Sequence, residues 1–303
     1  MKIAIIDCGT NTFNLLIVEK KDSGSFENMH GSKIPVRIGK GGLNEGEILP
    51  DAMERAIKAI ITHNHRIVKE NCESVYIFAT SAIRSASNGN FFCEEVKRLT
   101  GHVVNVISGE EEARLIFAGV KGSGVLTDEP TLIMDIGGGS CEFIVSVQKN
   151  PVFHASYEIG VSRLLDMFTP EDPISLQTIK RVEEYLEPIL EPVIQASGKN
   201  SVQILVGSSG SFDTFSDLLH SDNKLKSRHK NFSTYGAEEF KSLYDNVITS
   251  TYKERLEMKG MAEFRAEMIV MSVIAVDIII KKVNIYQIHS CRYSLKEGIL
   301  FSL

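Results

Sequence analysis

The sequence predicts an α/β protein made of two duplicated domains with a cleft between them, and three features point there. Lys2-Ile-Ala-Ile-Ile-Asp7 and Thr131-Leu-Ile-Met-Asp135 are both short apolar runs that end in a lone carboxylate, enter a turn rich in glycine or hydroxyls, and lead to a second strand. The interval from Asp7 to Asp135 is close to the length of one domain. Between and beyond these runs, strand patterns alternate with amphipathic helices, as α/β folds require. Lys121-Gly122-Ser123-Gly124 is the natural hinge, which gives domains over residues 1–124 and 125–303.

The first element is the strand from Lys2, returned by a second over Leu15 to Glu19. Asp51 to Glu70 reads as a helix, with Ala52, Ala56, Ala59, Ile60, His63 and Ile67 on one stripe. On that stripe His63 is expected to be packed rather than to bind a ligand. Ser74 to Ala79 is a strand, and Thr80-Ser-Ala-Ile-Arg84 continues from its carboxyl end, where α/β proteins place binding residues. Arg84 there suits a fork onto phosphate, or a plain surface arginine at a helix end.

Val103 to Ile107 is the next strand, and Ser108-Gly-Glu110-Glu111-Glu112-Ala-Arg114-Leu115-Ile116 begins a helix. Ser108 and Glu111 form a capping box, while Glu110 complements the helix dipole from solvent. Glu112 is in line with Leu115, Ile116 and Gly119, so it should face inward. Held half-desolvated, its pKa would rise and it would become a candidate general base; the other reading is a third dipole-compensating acid.

The central stretch Asp135-Ile-Gly137-Gly138-Gly139-Ser140-Cys141-Glu142 is a strand, a turn and the start of a return strand. Three glycines can take positive φ and let backbone N–H groups approach a phosphate, each worth roughly 1.5–3 kcal/mol against a charged acceptor. Asp135 and Glu142 bracket the turn, and two carboxylates beside a phosphate cradle imply a hard divalent cation such as Mg2+. Asp7 holds the matching position in the first copy, ahead of Gly9, Thr10, Asn11 and Thr12. A third phosphate loop is Gly207-Ser208-Ser209-Gly210, between a strand from Val202 and a helix over Phe212 to Leu219.

Later elements are a strand over Val152 to Glu158, a helix after Gly160, and a helix from Ser175 that must kink or end near Glu187 because of Pro188 and Pro192. Leu225-Lys226-Ser-Arg228-His229-Lys230 is the densest basic run and reads as a solvated loop or a polyanion-facing one. The last helix is expected over Ala262 to Lys282, before a strand at Ile285 to Ile288 and the closing Ser294 to Leu300.

Composition sets the limits. With 303 residues, 43% hydrophobic and 24% charged, the chain is long enough for two cores and shows no compositional disorder. The early Asp7 argues against a signal peptide, and the longest apolar run, Met268 to Ile280, is too short to span a bilayer, so a cytoplasmic protein without membrane contact is expected. A net charge of −6 disfavours nucleic acid as partner. Five widely spaced cysteines without a C-x-x-C pair argue against disulfides and zinc. A homodimer is the default assembly.

Seven motifs in order resemble the exopolyphosphatase and guanosine pentaphosphate phosphatase family, in its short two-domain form. They are Asp7-Cys-Gly-Thr-Asn-Thr, Ala79-Thr-Ser-Ala-Ile-Arg84, Ile107-Ser-Gly-Glu-Glu-Glu112-Ala-Arg-Leu, Asp135-Ile-Gly-Gly-Gly-Ser-Cys-Glu142, Gly160-Val-Ser-Arg163-Leu, Gly207-Ser-Ser-Gly and Leu295-Lys-Glu-Gly-Ile-Leu. The resemblance implies ribonuclease-H-like (actin-like ATPase) domains, Glu112 as catalytic base, Asp135 and Glu142 at a metal, and phosphate held by the glycines and Ser140. It implies hydrolysis of terminal phosphate from inorganic polyphosphate, with guanosine pentaphosphate as the alternative substrate and a non-catalytic polyphosphate-binding protein as the outside case. Cys141 stands where the family commonly has threonine. With Cys8 it suggests a site sensitive to oxidation. Thr10, Thr12 and Lys296 also depart from the usual serines and arginine.

Overall fold

The computed structural model describes residues 1–222, 225 and 227–303, the last range in backbone only at 227 and 228. The basic run therefore lies partly outside the described residues, at Lys226. By their contacts the residues form two compact units, 1–112 with 303, and 113–302.

In the first unit β1 (Lys2–Cys8), β2 (Thr12–Lys20) and β3 (Phe26–Pro35) make an antiparallel meander. α1 (Pro50–Lys69) follows, then β4 (Ser74–Ala79), α2 (Ser81–Ser85), α3 (Gly89–Thr100) and β5 (Val104–Val106). The sheet order is β3-β2-β1-β4-β5, with β4 parallel to both β1 and β5. All six residues of the predicted α1 stripe are buried, and His63 Nε2 meets the Phe13 carbonyl at 3.1 Å. Burial pushes its pKa down, so His63 is a packed neutral ring.

α4 (Gly109–Gly122) leads into the second unit. There β6 (Thr131–Ile136), β7 (Cys141–Val147) and β8 (Asn150–Tyr157) form another meander, followed by α5 (Val161–Phe168), α6 (Leu176–Lys199), β9 (Ile204–Ser208) and α7 (Ser209–Ser221). β10 (Ser227–Arg228), β11 (Phe232–Gly236), α8 (Ala237–Thr249), α9 (Tyr252–Glu257), α10 (Ile269–Val283), β12 (Gln287–Cys291) and α11 (Leu295–Phe301) complete it. Read from β8, the sheet order is β8-β7-β6-β9-β12-β11-β10. Its first five strands repeat the first unit's topology, with β9 parallel to β6 and β12. Even the register repeats: Asp7 is opposite Asn14, and Asp135 is opposite Glu142.

Strand alternation sorts the side chains. Leu132, Met134, Ile136, Cys141, Phe143 and Leu205 enter the second unit's main core, and Ala4, Ile6, Cys8, Phe13 and Leu15 enter the first unit's. Asp135, Glu142 and Ser208, or Asp7 and Asn14, must then lie on the opposite face. The Cys8 and Cys141 thiols are buried among apolar groups, and burial pushes both pKa values up. They are packed thiols rather than reactive members of the glycine turns.

Four expectations change in detail. The contact boundary falls at Glu112 rather than after Gly124. The reason is α4, which packs with α11: a Cβ on Gly119 would strike the Ser294 carbonyl and one on Gly298 the Leu115 carbonyl. α6 does not end near Glu187; it runs to Lys199 through Pro188 and Pro192. Both prolines are exposed and one turn apart, so the carbonyls they leave unpaired face water. α10 starts at Ile269, because residues 263–265 form a 3-10 turn and Arg255 Nε takes the Ala266 carbonyl at 2.7 Å. Finally, the left-handed glycines among the described residues are Gly24, Gly41, Gly46, Gly101, Gly124 and Gly260. Gly137 is needed for close approach instead, since a Cβ there would lie 2.9 Å from Ser140 O.

Candidate active site

In the first unit the turn after β1 closes by Gly9 N–H donating to Thr12 O at 3.2 Å. Its carbonyls are taken up by the segment after β3: Ile38 N–H donates to Thr10 O at 2.9 Å, and Val36 and Arg37 N–H donate to Asn11 O at 2.8 and 3.0 Å. Thr10, Asn11 and Thr12 are buried. Asn14 Nδ2 donates to Asp7 Oδ2 at 2.9 Å, so Asp7 is a single carboxylate already holding an amide.

Arg84 and Glu112 meet in the same unit. Thr80 precedes α2, whose last turn carries Arg84. Arg84 Nη1 donates to Glu112 Oε2 and to Ile107 O, both at 3.0 Å. Ser108 Oγ accepts from Glu111 N–H at 3.1 Å, as a cap should. Glu110 is exposed, Glu111 half-buried, and Glu112 only 7% exposed. The helical phase separates three adjacent glutamates, and the inward one acquires a guanidinium partner. Such a charge-assisted pair, largely removed from water, presents an ionised carboxylate in a fixed direction.

The second unit repeats the turn position for position. Gly137 N–H donates to Ser140 O at 3.1 Å. The turn carbonyls receive the start of α5: Val161 N–H at Gly137 O, Ser162 and Arg163 N–H at Gly138 O, and Gly160 N–H at Gly139 O, over 2.9–3.3 Å. Gly160 has to be glycine, because a Cβ would overlap the Gly138 carbonyl and Gly139. The amides of Gly138 and Gly139 make no backbone hydrogen bond among the described residues, so these donors remain for an anion.

Asp135 and Glu142 are cross-strand partners, 5% and 1% exposed. Burial pushes the Asp135 carboxyl up from the usual carboxylate range, opposed by the Ser209 and Ser208 hydroxyls and by the charge of Lys296. Those hydroxyls have one proton each and a carbonyl also in reach, Ile136 O for Ser209 at 3.0 Å and Tyr293 O for Ser208 at 3.2 Å. Asp135 is thus incompletely served by the protein. Glu142 Oε1 accepts from Ser156 Oγ at 2.7 Å. Two hard carboxylates on one face fit a divalent cation that completes its shell with water and substrate phosphate. Among the described residues no group of three or more His, Cys, Asp or Glu could hold a metal alone.

The Gly207–Gly210 loop ends β9 beside these acids, since Ser208 is in register with Asp135. A Cβ on Gly207 would enter the Phe212 ring, and one on Gly210 would enter the Arg265 guanidinium. Ser209 has φ +67°, a left-handed conformation costly for a residue with a Cβ. Arg265 itself was not singled out in the sequence. It is 9% exposed, stacks on Phe264 at 5.1 Å, and has its pKa pushed down by burial against the charges of Asp213 and Asp135. Arg265 is flanked by Glu263 and Glu267 in a segment read as the start of the last helix, so it looked like one more charge on a helix surface.

The candidate residues fall into two sets. Asp7, Gly9, Thr10, Asn11, Thr12, Arg84 and Glu112 belong to the first unit. Asp135, Gly137, Gly138, Gly139, Ser140, Glu142, Gly207, Ser208, Ser209 and Gly210 belong to the second.

Comparison with known proteins gives the arrangement a lineage. The model of the Ppx/GppA phosphatase family matches residues 17–303. An exopolyphosphatase structure from Cytophaga hutchinsonii is 33% identical, with a TM-score of 0.94 over 100% of this chain and 97% of that one. The Aquifex aeolicus member of the Ppx/GppA family is 26% identical, with a TM-score of 0.81 over 100% and 97%. Exopolyphosphatase 1 of Mycobacterium tuberculosis is 26% identical over 99% of this chain and 87% of its own length.

Proposed function

Because the chain belongs to the Ppx/GppA phosphatase family, we propose that it is an exopolyphosphatase, removing terminal phosphate from inorganic polyphosphate with water activated by Glu112. The observation that carries this reading is the burial of Glu112 against Arg84 at the head of α4, where Glu110 is exposed. A general base must be ionised and aimed, and the ion pair supplies both.

In the proposed reaction Glu112 takes a proton as the oxygen of water bonds to the terminal phosphorus, and the bond from that phosphorus to the bridging oxygen breaks. The shortened polyphosphate leaves with the electron pair on that oxygen. In the first unit the donors for phosphoryl oxygens are Arg84 and the Gly9–Thr12 turn, and in the second they are the amides of Gly138 and Gly139. Arg265, over the Gly207–Gly210 loop, adds a fixed positive charge. Asp135 and Glu142 would hold Mg2+ or another divalent cation, which when bound would withdraw charge from those oxygens. Asp7 contributes a lone carboxylate of the same kind in the first unit.

Phosphate release from long polyphosphate, short polyphosphate and guanosine pentaphosphate, each with Mg2+ and with chelator, tests the reading. Metal-dependent release that is fastest from polyphosphate is expected. Release from guanosine pentaphosphate alone would move the assignment to that substrate, and tight polyphosphate binding without release under any divalent ion would make the protein a binder.

A further inference from the structure

Arg163, two residues into α5, is used by none of the steps above, yet its side chain reaches the phosphate turn. Its Nε donates to Gly139 O at 3.2 Å, and Nη2 pairs with Glu158 Oε2 at 2.8 Å. The side chain is 12% exposed. α5 has no side-chain cap, so its first amides are satisfied by the turn's own carbonyls.

A trans peptide is planar, so the N–H of each residue points opposite to the carbonyl before it. Val161 N–H on Gly137 O, at 3.0 Å, therefore sets the direction of the Gly138 N–H. Ser162 N–H on Gly138 O, at 2.9 Å, does the same for Gly139. The Gly139 carbonyl receives Gly160 N–H at 3.1 Å and the Arg163 guanidinium, which together orient the Ser140 N–H. A charged donor on a carbonyl also polarises the peptide and strengthens its N–H as a donor. The three amides that follow these carbonyls point away from α5.

We propose that Arg163 is a positioning residue for phosphate binding: it orients and polarises the Gly139–Ser140 peptide without touching substrate, and Glu158 holds the guanidinium in place. The first unit has a looser version of the same device. There Arg55 Nε donates to Val36 O at 3.0 Å and Nη2 to Arg37 O at 3.3 Å, bracing the segment that in turn caps Asn11 and Thr10. Arg55 acts one layer further from its turn than Arg163 does.

The proposal rests on the turn's being a phosphate cradle, so the test reads phosphate directly. Inorganic phosphate is the probe, with its Ki as competitor of polyphosphate hydrolysis and its Kd by calorimetry measured beside KM, kcat and Tm. R163Q is expected to raise Ki, Kd and KM together about fivefold to tenfold, the loss of one charge-assisted hydrogen bond, with kcat changed less. R163K should recover most of the loss, and E158Q, which keeps the arginine but frees its far end, should give about a twofold rise. A fall in Tm with Ki, Kd and KM unchanged would reduce Arg163 to a structural brace and overturn the proposal. If the wild type released no phosphate from polyphosphate while R163Q still weakened inorganic phosphate binding, the substrate assignment would fail and the positioning role would stand.

Discussion

Three successive glutamates begin α4, and each meets a different fate because a helix turns 100° per residue. Glu112 is carried inward to Arg84. The same kind of one-residue geometry decides the cysteines. Cys141 follows Ser140 directly, yet the pleat sends its thiol into the core with Cys8 on the matching face of the first unit. Desolvation keeps both as thiols, and thiols react slowly. Iodoacetamide labelling of the folded protein, read by mass spectrometry, should leave Cys8 and Cys141 unmodified, and mild peroxide should leave phosphate release unchanged. Loss of activity that tracks modification of Cys141 would show that the strand opens enough to expose it.

At the scale of elements, α4 depends on its crossing with α11. Gly119 and Gly298 let the two backbones approach, and a Cβ on Gly298 would overlap Leu115 O. Gly298→Ala should cost about 2–3 kcal/mol, the usual penalty of overpacking against backbone, read by chemical denaturation. β12 carries a pH-sensitive group of its own. His289 lies between the Gln287 amide, 3.0 Å from Nε2, and the Thr234 hydroxyl, 2.9 Å from Nδ1. The amide donates to Nε2, so a neutral ring donates from Nδ1 to Thr234. Burial depresses its pKa from 6.5 to about 4. Between those values the unfolded chain binds a proton that the folded one refuses, so stability drops as pH falls from about 6.5 toward 4. Thermal unfolding at pH 7.5 and pH 5 should show a smaller difference in His289→Gln than in the wild type. Elements of this kind were legible unevenly. β1 and β6 were plain because each is a short apolar run closed by an aspartate and a turn, and α1 because its apolar stripe repeats over 20 residues. At Pro188 the sequence left α6 to kink or to end, because it does not say that the freed carbonyl faces water; the helix continues. The start of α10 was hidden because Ala262 to Met268 holds good helix formers and neither Gly nor Pro, while Arg255, from another helix, holds the Ala266 carbonyl.

For the whole molecule, duplication is the main lesson. Asp7 and Asp135 announced it, because each ends an apolar run at a glycine turn, and the repeated order β3-β2-β1-β4-β5 and β8-β7-β6-β9-β12 bears it out. What could not be read was the bracing of each turn by donors from the segment after the third strand, since Val36–Ile38 and Gly160–Arg163 act through backbone N–H groups that almost any residue carries. Nor could the Arg84–Glu112 pair, 28 positions apart, be read from spacing. With a separate core in each unit, unfolding should not be two-state, and the calorimetric enthalpy should exceed the van't Hoff enthalpy. Equal enthalpies would mean that the two cores melt as one. The account depends most on Glu112 as the base, and Glu112→Gln tests it most directly because the amide keeps an oxygen for Arg84 and preserves the fold. Phosphate release from polyphosphate should fall by about a thousandfold, within the range for a general base, while polyphosphate binding stays within about twofold of wild type. Turnover near the wild-type rate would contradict the account.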